Sequence, residues 1–391
     1  MTDKPSRPTS VETILTHVGR HPEQNRGYVN TPVYRGSTML FPTLDALESP
    51  EPRFDYGRTG NPSSADVEEC VTALEDAAGT VLAPSGLSAI ALALMTTLKS
   101  GDELLMTDSA YQPTRRVSDG VLARMGVSVR YYDPRIGAGI GESISERTRA
   151  IFVESPGSLT FELQDLPAIA AIARPRGIAV IVDNSWATPL YYRPLALGAD
   201  IVVHAGTKMF VGHSDTMFGT ASANRQWIKP LRETHRWLGL CASPDDCFLA
   251  ARGLRTLALR MKEISARSIA MATWLESQPG VRRVIHPALP SNPDHTIYRR
   301  DFTGSGSTFA ILLETKPRAA LAALVDGFEL FGLGWSWGGY ESLCLPIHPA
   351  KVRTATSWPD PGPMLRIHVG LEGFDDLKAD LSAGLARYLA A

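Results

Sequence analysis

The sequence predicts an α/β fold, with a large domain built on a mostly parallel sheet and a smaller C-terminal α+β domain. Three observations carry this. Short apolar runs alternate with helical patterns from Thr80 to Val203. One of them, Ile178-Ala179-Val180-Ile181-Val182, is apolar without interruption, as a central parallel strand covered on both faces requires. Near Asp245 the chain changes character, and a long helical stretch over 245–278 bridges into a second set of strands.

The totals bound the function. A chain of 391 residues can bury a large core and hold two domains. A formal net charge of −2 over mixed signs gives no electrostatic case for nucleic acid or a membrane surface. The Met-Thr-Asp-Lys start has no apolar signal core, and Leu87–Leu98 is too short and too interrupted by Ser and Thr to span a bilayer. The cysteines Cys70, Cys241, Cys247 and Cys344 form no Cys-x-x-Cys pair, and no Cys/His cluster has metal spacing. A cytoplasmic protein with reduced thiols and no metal is the expectation.

Taken in order, residues 1–60 are rich in Pro, Arg, Thr and Ser, with little periodicity. Such a segment is either disordered or draped on another surface. Regular structure is expected after Pro62, where Ser64 or Asp66 can cap a helix with Val67, Val71 and Leu74 on one face. Thr80–Ala83 reads as a buried strand, and Pro84-Ser85-Gly86 turns the chain into the apolar helix Leu87–Leu98. A strand, a small-residue turn and a helix N-terminus make an anion site, because free N–H groups and the helix dipole both point outward. A helix start with nothing bound has the same appearance.

The alternation continues with strands Glu103–Met106, Val127–Tyr132 and Ala150–Val153 and helices 112–125 and Leu166–Ala173. Tyr111 stands just beyond the end of one strand. The glycines Gly137, Gly139 and Gly141 lack dinucleotide-fingerprint spacing and open no apolar helix. Asp183 ends the most apolar run; it either begins a solvated turn or is a carboxylate that meets a positive partner. Lys208 follows the run Ile201–Val203 and is the only lysine between Lys99 and Lys229. It is a surface-loop lysine or, once burial lowers its pKa, a nucleophilic amine.

Beyond the helical bridge, strands 281–285, 308–313 and 364–369 alternate with helices 317–326 and 374–388. In the last strand Leu365, Ile367 and Val369 share one face, while Met364, Arg366 and His368 share the other. Arg366 therefore faces either solvent or a cleft, and periodicity alone favours solvent. The loop Trp335-Ser336-Trp337-Gly338-Gly339-Tyr340 has no core periodicity, so its aromatics should line a pocket or an interface.

Tyr56-Gly57-Arg58, Glu154-Ser155-Pro156-Gly157-Ser158, Thr207-Lys208, Gly212-His213-Ser214-Asp215, Arg252-Gly253-Leu254-Arg255-Thr256, Asp301-Phe302-Thr303-Gly304 and Ser336-Trp337-Gly338-Gly339-Tyr340-Glu341-Ser342 form an ordered set. With it, nearly the whole chain resembles the pyridoxal-phosphate enzymes of cysteine and methionine metabolism, most closely their cystathionine β-lyase branch. The resemblance implies the fold type I of pyridoxal-phosphate-dependent transferases: a large domain over 61–245 with a seven-stranded sheet, and a C-terminal domain over 246–391 joined by a long helix. Residues 1–60 would be an extended segment contacting a neighbouring subunit. It also implies a homotetramer of dimers with shared active sites.

The resemblance assigns residues as well. Lys208 would carry pyridoxal 5′-phosphate as an aldimine, Asp183 would pair with the ring nitrogen, and Tyr111 would stack on the ring. Ser85, Gly86, Leu87 and Thr207 would surround the phosphate, with Tyr56 and Arg58 reaching it from the neighbouring subunit. Arg366 would clamp the substrate carboxylate, bordered by Ser336 and Trp337. The implied reaction is α,β-elimination of L-cystathionine to homocysteine, pyruvate and ammonia, as in methionine biosynthesis. Ala205, Met209, Arg236 and Trp335 depart from the commonest residues at their positions, and the last two bear on substrate scope. A broad cysteine-S-conjugate β-lyase, cystathionine γ-lyase or γ-synthase, methionine γ-lyase, and a non-catalytic cofactor-binding regulator are the alternatives.

Overall fold

The structure is a computed structural model that describes residues 10–49 and 54–391. Its larger sheet contains β1 (Gly79–Ala83), β2 (Glu103–Thr107), β3 (Ser128–Tyr132), β4 (Thr148–Glu154), β5 (Ala179–Asp183), β6 (Ile201–His204) and β7 (Gly219–Ala223). Their order across the sheet is β1-β7-β6-β5-β4-β2-β3. The pairs from β6 through β3 are parallel, and β7 alone runs against both of its neighbours.

The uninterrupted apolar runs follow from burial on both faces. In β4, Ile151 and Val153 pack into one core cluster with the helix Leu166–Ala173. Ala150 and Phe152 pack into the opposite cluster with the helix Gly86–Thr97. Strand β7 has a different character. Its sequence Gly-Thr-Ala-Ser-Ala lacks an apolar signature because small residues are needed: a Cβ on Gly219 would lie 2.2 Å from the carbonyl oxygen of Ser85.

The second sheet is four-stranded and antiparallel, with β8 (Val281–Ile285), β9 (Thr308–Leu313), β10 (Leu343–Ile347) and β11 (Met364–His368) in the order β10-β11-β9-β8. One face, including Phe309, Ile311, Leu365 and Ile367, packs with Leu324, Leu377 and Leu381 of the helices Arg318–Val325 and Phe374–Ala390. The other face places Ala310, Leu312, Leu345 and Met364 in the core cluster shared with the larger sheet. The side of β11 that periodicity assigns to solvent therefore meets the other sheet's domain.

Two other expectations change. The helix after Pro62 starts earlier, with Asn61 as its cap and Pro62 in its first turn, because Asn61 and Ser64 exchange a reciprocal capping box. The bridging helix is two helices, Pro244–Arg255 and Leu257–Leu275, broken at Thr256. At this break Arg260 donates to the carbonyl of Gly253 at 2.8 Å, and Arg255 donates to the carbonyls of Leu15, Val18 and Gly19. Through Arg255 the described part of the N-terminal segment is anchored on its own chain; residues 1–9 and 50–53 of that segment lie outside the described residues. Its helix Val11–His17 buries Ile14 and Leu15 beside Val67 and Leu257.

Candidate active site

The site forms where the C-terminal ends of β4, β5 and β6 meet the loop before β10. Past the end of β6, Lys208 N–H donates to Ala205 O at 3.0 Å, and Gly212 N–H donates to Lys208 O at 2.7 Å. These bonds fix the backbone under a half-buried side chain. Its amine lies 4.9 Å from the ring centre of Trp337 and 5.8 Å from that of Tyr111. Burial lowers the Lys208 pKa, and Arg366 lowers it further, while Asp183 and Glu154 oppose both.

Two carboxylates stand on adjacent strands. Asp183 ends β5 directly opposite Glu154, which ends β4. Asp183 Oδ1 accepts from Ser185 N–H at 2.9 Å and Ser185 Oγ–H at 2.6 Å, and Ser185 Oγ itself accepts from Ala205 N–H at 2.7 Å. One serine thus ties Asp183 to the turn that carries Lys208, while Oδ2 takes no protein hydrogen bond among the described residues. Glu154 Oε2 accepts from Tyr111 N–H at 2.7 Å. Burial raises the Glu154 carboxyl well above the ordinary carboxylate range, and the charge of Asp183 adds to the rise.

The turn at Ser85 abuts the same loop. Ser85 caps the helix Gly86–Thr97 and accepts from Ser88 N–H at 3.1 Å, leaving the N–H groups of Gly86 and Leu87 with no helical partner. A Cβ on Gly86 would lie 2.5 Å from Cβ of Ala205, so the helix start and the lysine turn are in direct contact. The Thr207 hydroxyl is already engaged: it donates to Phe218 O at 3.1 Å and accepts from Phe218 N–H at 2.8 Å.

From the smaller sheet, Arg366 is only 9% exposed. Its Nη2–H donates to Ser336 O at 2.6 Å, while its buried Nε has no partner among the described residues. Burial draws its pKa down to about 10. Trp337 packs against the clusters of both the larger sheet and the helical layer beside it.

Tyr56 and Arg58 are not drawn into this group. Arg58 donates to the carbonyl of Arg236 at 3.1 Å, and Tyr56 is 45% exposed. The departures divide similarly: Ala205 and Met209 lie on the lysine turn, Met209 fully buried, whereas Arg236 and Trp335 are exposed. Glu154 and Ser185 are site residues whose roles sequence reasoning missed. A signal existed for both: Glu154 ends its strand as Asp183 ends the next, and Ser185 is placed two residues on for an Asx-type turn.

A buried amine, a carboxylate with one free oxygen, aromatic rings above and a pair of helix N–H groups fit an anionic aldehyde on a heteroaromatic ring, the chemistry of pyridoxal phosphate. The sequence profile of the Cys/Met metabolism PLP-dependent enzymes matches residues 12–386. A cystathionine beta-lyase of Salmonella typhimurium is 38% identical over 99% of this chain and 100% of its own. A cystathionine gamma-lyase of Dictyostelium discoideum is 35% identical over 96% of this chain and 97% of its own. The crystal structure of cystathionine gamma synthase from Xanthomonas oryzae pv. oryzae, in complex with aminoacrylate and cysteine, superposes with a TM-score of 0.91 at 31% identity, covering 98% of this chain and 99% of that one. The chain belongs to the Cys/Met metabolism PLP-dependent enzymes, as a carbon–sulfur lyase of the cystathionine β-lyase group.

Proposed function

We propose that the chain is a carbon–sulfur β-lyase that converts L-cystathionine and water to homocysteine, pyruvate and ammonia. The observation that carries this reading is the enclosure of one half-buried lysine amine by Tyr111, Trp337, Arg366 and the Asp183–Glu154 pair. When bound, pyridoxal phosphate supplies the electron sink for a carbanion at the substrate Cα.

The chain's own residues do the rest. Lys208 is the attachment point and, once freed, the base that takes the Cα proton; its lowered pKa keeps a larger fraction of the amine neutral. The resulting ammonium returns that proton to the sulfur leaving Cβ. Asp183, with Oδ2 free, holds the ring nitrogen protonated, while Ser185 fixes its angle. Gly86 and Leu87 N–H groups, with Ser85, hold the phosphate; Thr207 contributes there only through the turn it braces, because its hydroxyl is spent on Phe218. Arg366 receives the α-carboxylate on the face left by its unpaired Nε, with Ser336 and Trp337 beside it.

Assembly belongs to the same reading. Tyr56 and Arg58 sit on a loop away from Lys208 of their own chain, and nearby residues expose unusual apolar surface, Leu40 at 93% and Leu44 at 65%. Both observations suit a segment that closes the site of a second subunit, within a homotetramer. No described helix is long and apolar enough to cross a membrane.

Product analysis on L-cystathionine tests the assignment. Pyruvate with homocysteine is expected; 2-oxobutyrate with cysteine would move the chain to γ-elimination. Parallel assays on L-cystine and djenkolate separate a dedicated enzyme from a broad cysteine-S-conjugate β-lyase.

A further inference from the structure

We propose that His368 is a positioning residue for substrate binding, holding the turn Ser336–Gly339 against the backbone of Lys208 from within the smaller sheet. The proposal rests on the reading of Arg366 and Trp337 as substrate-facing groups. His368 lies on β11 between Thr308 of β9 and Leu343 of β10, on the same face as Arg366. It is fully buried, and Gly338 N–H donates to its Nε2 at 3.2 Å. The Gly339 carbonyl is 3.2 Å from the same nitrogen. Burial keeps the ring neutral, with a pKa near about 3, so Nε2 can serve only one of the two. Either bond ties the ring to the turn: Nε2 accepts from Gly338 N–H in one tautomer and donates to the Gly339 carbonyl in the other, while Nδ1 has no partner among the described residues.

The turn needs an external hold because its conformation is not one the chain prefers. Ser336 has φ of +73° and Gly338 +93°, both in the left-handed region. For Ser336 this is strained, and it persists only where surrounding bonds fix it. Gly338 has no room for a side chain, since a Cβ there would lie 2.9 Å from Cβ of Lys208. The turn therefore rests directly on the lysine. Its two anchors to β11 are Arg366 on the Ser336 carbonyl and His368 on the Gly338 N–H, two residues apart on one strand face. Between those anchors stands Trp337, whose ring faces the Lys208 amine. Without the bond from His368, the turn can relax out of the left-handed region. Trp337 and the Ser336 carbonyl then shift, and Arg366 loses the contact that aims it.

The test uses the holoenzymes of wild type, His368→Leu and His368→Gln. Glutamine places an amide oxygen near the position of Nε2 and can accept the same N–H; leucine cannot. Binding of glycine, which has no leaving group at Cβ, is titrated through the cofactor absorbance, and turnover of the sulfur amino acid is split into kcat and KM. His368→Leu is expected to weaken glycine binding and raise KM by about tenfold with kcat within about threefold, and His368→Gln to recover most of both. Unchanged glycine affinity in His368→Leu would overturn the proposal. So would equal loss in both variants accompanied by equal falls in melting temperature. Should the wild type release no pyruvate while the binding pattern holds, the lyase reading fails and the role of His368 stands.

Discussion

Glu154 and Asp183 end neighbouring parallel strands directly across from each other, so two carboxylates share the floor of the site beneath one lysine. They are not equivalent. Asp183 accepts two hydrogen bonds from Ser185 and keeps one oxygen free, whereas Glu154 accepts the backbone N–H of Tyr111 and is pushed well above the ordinary carboxylate range. The pair divides its roles: burial and the neighbouring Asp183 both disfavour ionisation of the Glu154 carboxyl, while Asp183 offers its free oxygen.

That division predicts a pH-dependent stability. A carboxyl whose folded pKa is raised contributes stability that is present below its unfolded value, about 4.3, and is lost as pH rises through the folded value. In cofactor-free protein, Glu154→Gln retains an acceptor for Tyr111 N–H and removes the ionisation. Its melting temperature relative to wild type should therefore climb as pH increases from about 4.3 up through the raised folded value. A constant offset at all pH values would mean that Glu154 ionises freely in the folded chain.

Ser185 joins Asp183 to the lysine turn through its hydroxyl, which donates to one and accepts from Ala205 N–H of the other. Ser185→Ala deletes both links and leaves the Ala205 N–H without its acceptor. The expected cost is about 1–3 kcal/mol of stability, with cofactor affinity weakened by roughly tenfold. Thermal melts and cofactor titration by absorbance measure the two effects separately.

How much of this was legible in the sequence depends on what each element presents. The parallel strands β4, β5 and β6 are legible because burial on both faces demands unbroken apolar runs, and Asp183 and Lys208 stand out as charged residues closing such runs. Strand β7 is not, since packing against the Ser85 turn selects Gly, Ala, Ser and Thr over β-branched apolar residues. Arg366 was turned the wrong way by a sound rule. Alternation along β11 separates two faces correctly, but only tertiary structure reveals that the second face covers the larger domain rather than water. The break at Thr256 is likewise invisible in the sequence, because Arg255 and Arg260 on either side of it bond to carbonyls far away in the chain, those of Leu15 and Met209.

With its true orientation, Arg366 yields a sharp expectation. A buried guanidinium with an unpaired Nε can grip a carboxylate at two points, whereas lysine offers a single compact charge on a different geometry. Arg366→Lys should lower kcat/KM by about 30- to 100-fold, corresponding to about 2–3 kcal/mol, chiefly through KM. Cofactor absorbance should be unchanged, and steady-state kinetics with a cofactor spectrum checks both statements.

The chemistry of the site depends on the amine of Lys208, placed near Trp337 and Tyr111 and within the field of the Asp183–Glu154 pair. The most direct measurement is pyruvate release from L-cystathionine by wild type and Lys208→Ala, each with its visible absorption spectrum recorded. Wild type is expected to release pyruvate with homocysteine and to show the absorbance of lysine-linked cofactor; Lys208→Ala should lose the absorbance and at least about a thousandfold in rate. Pyruvate formation retained in Lys208→Ala would contradict the account.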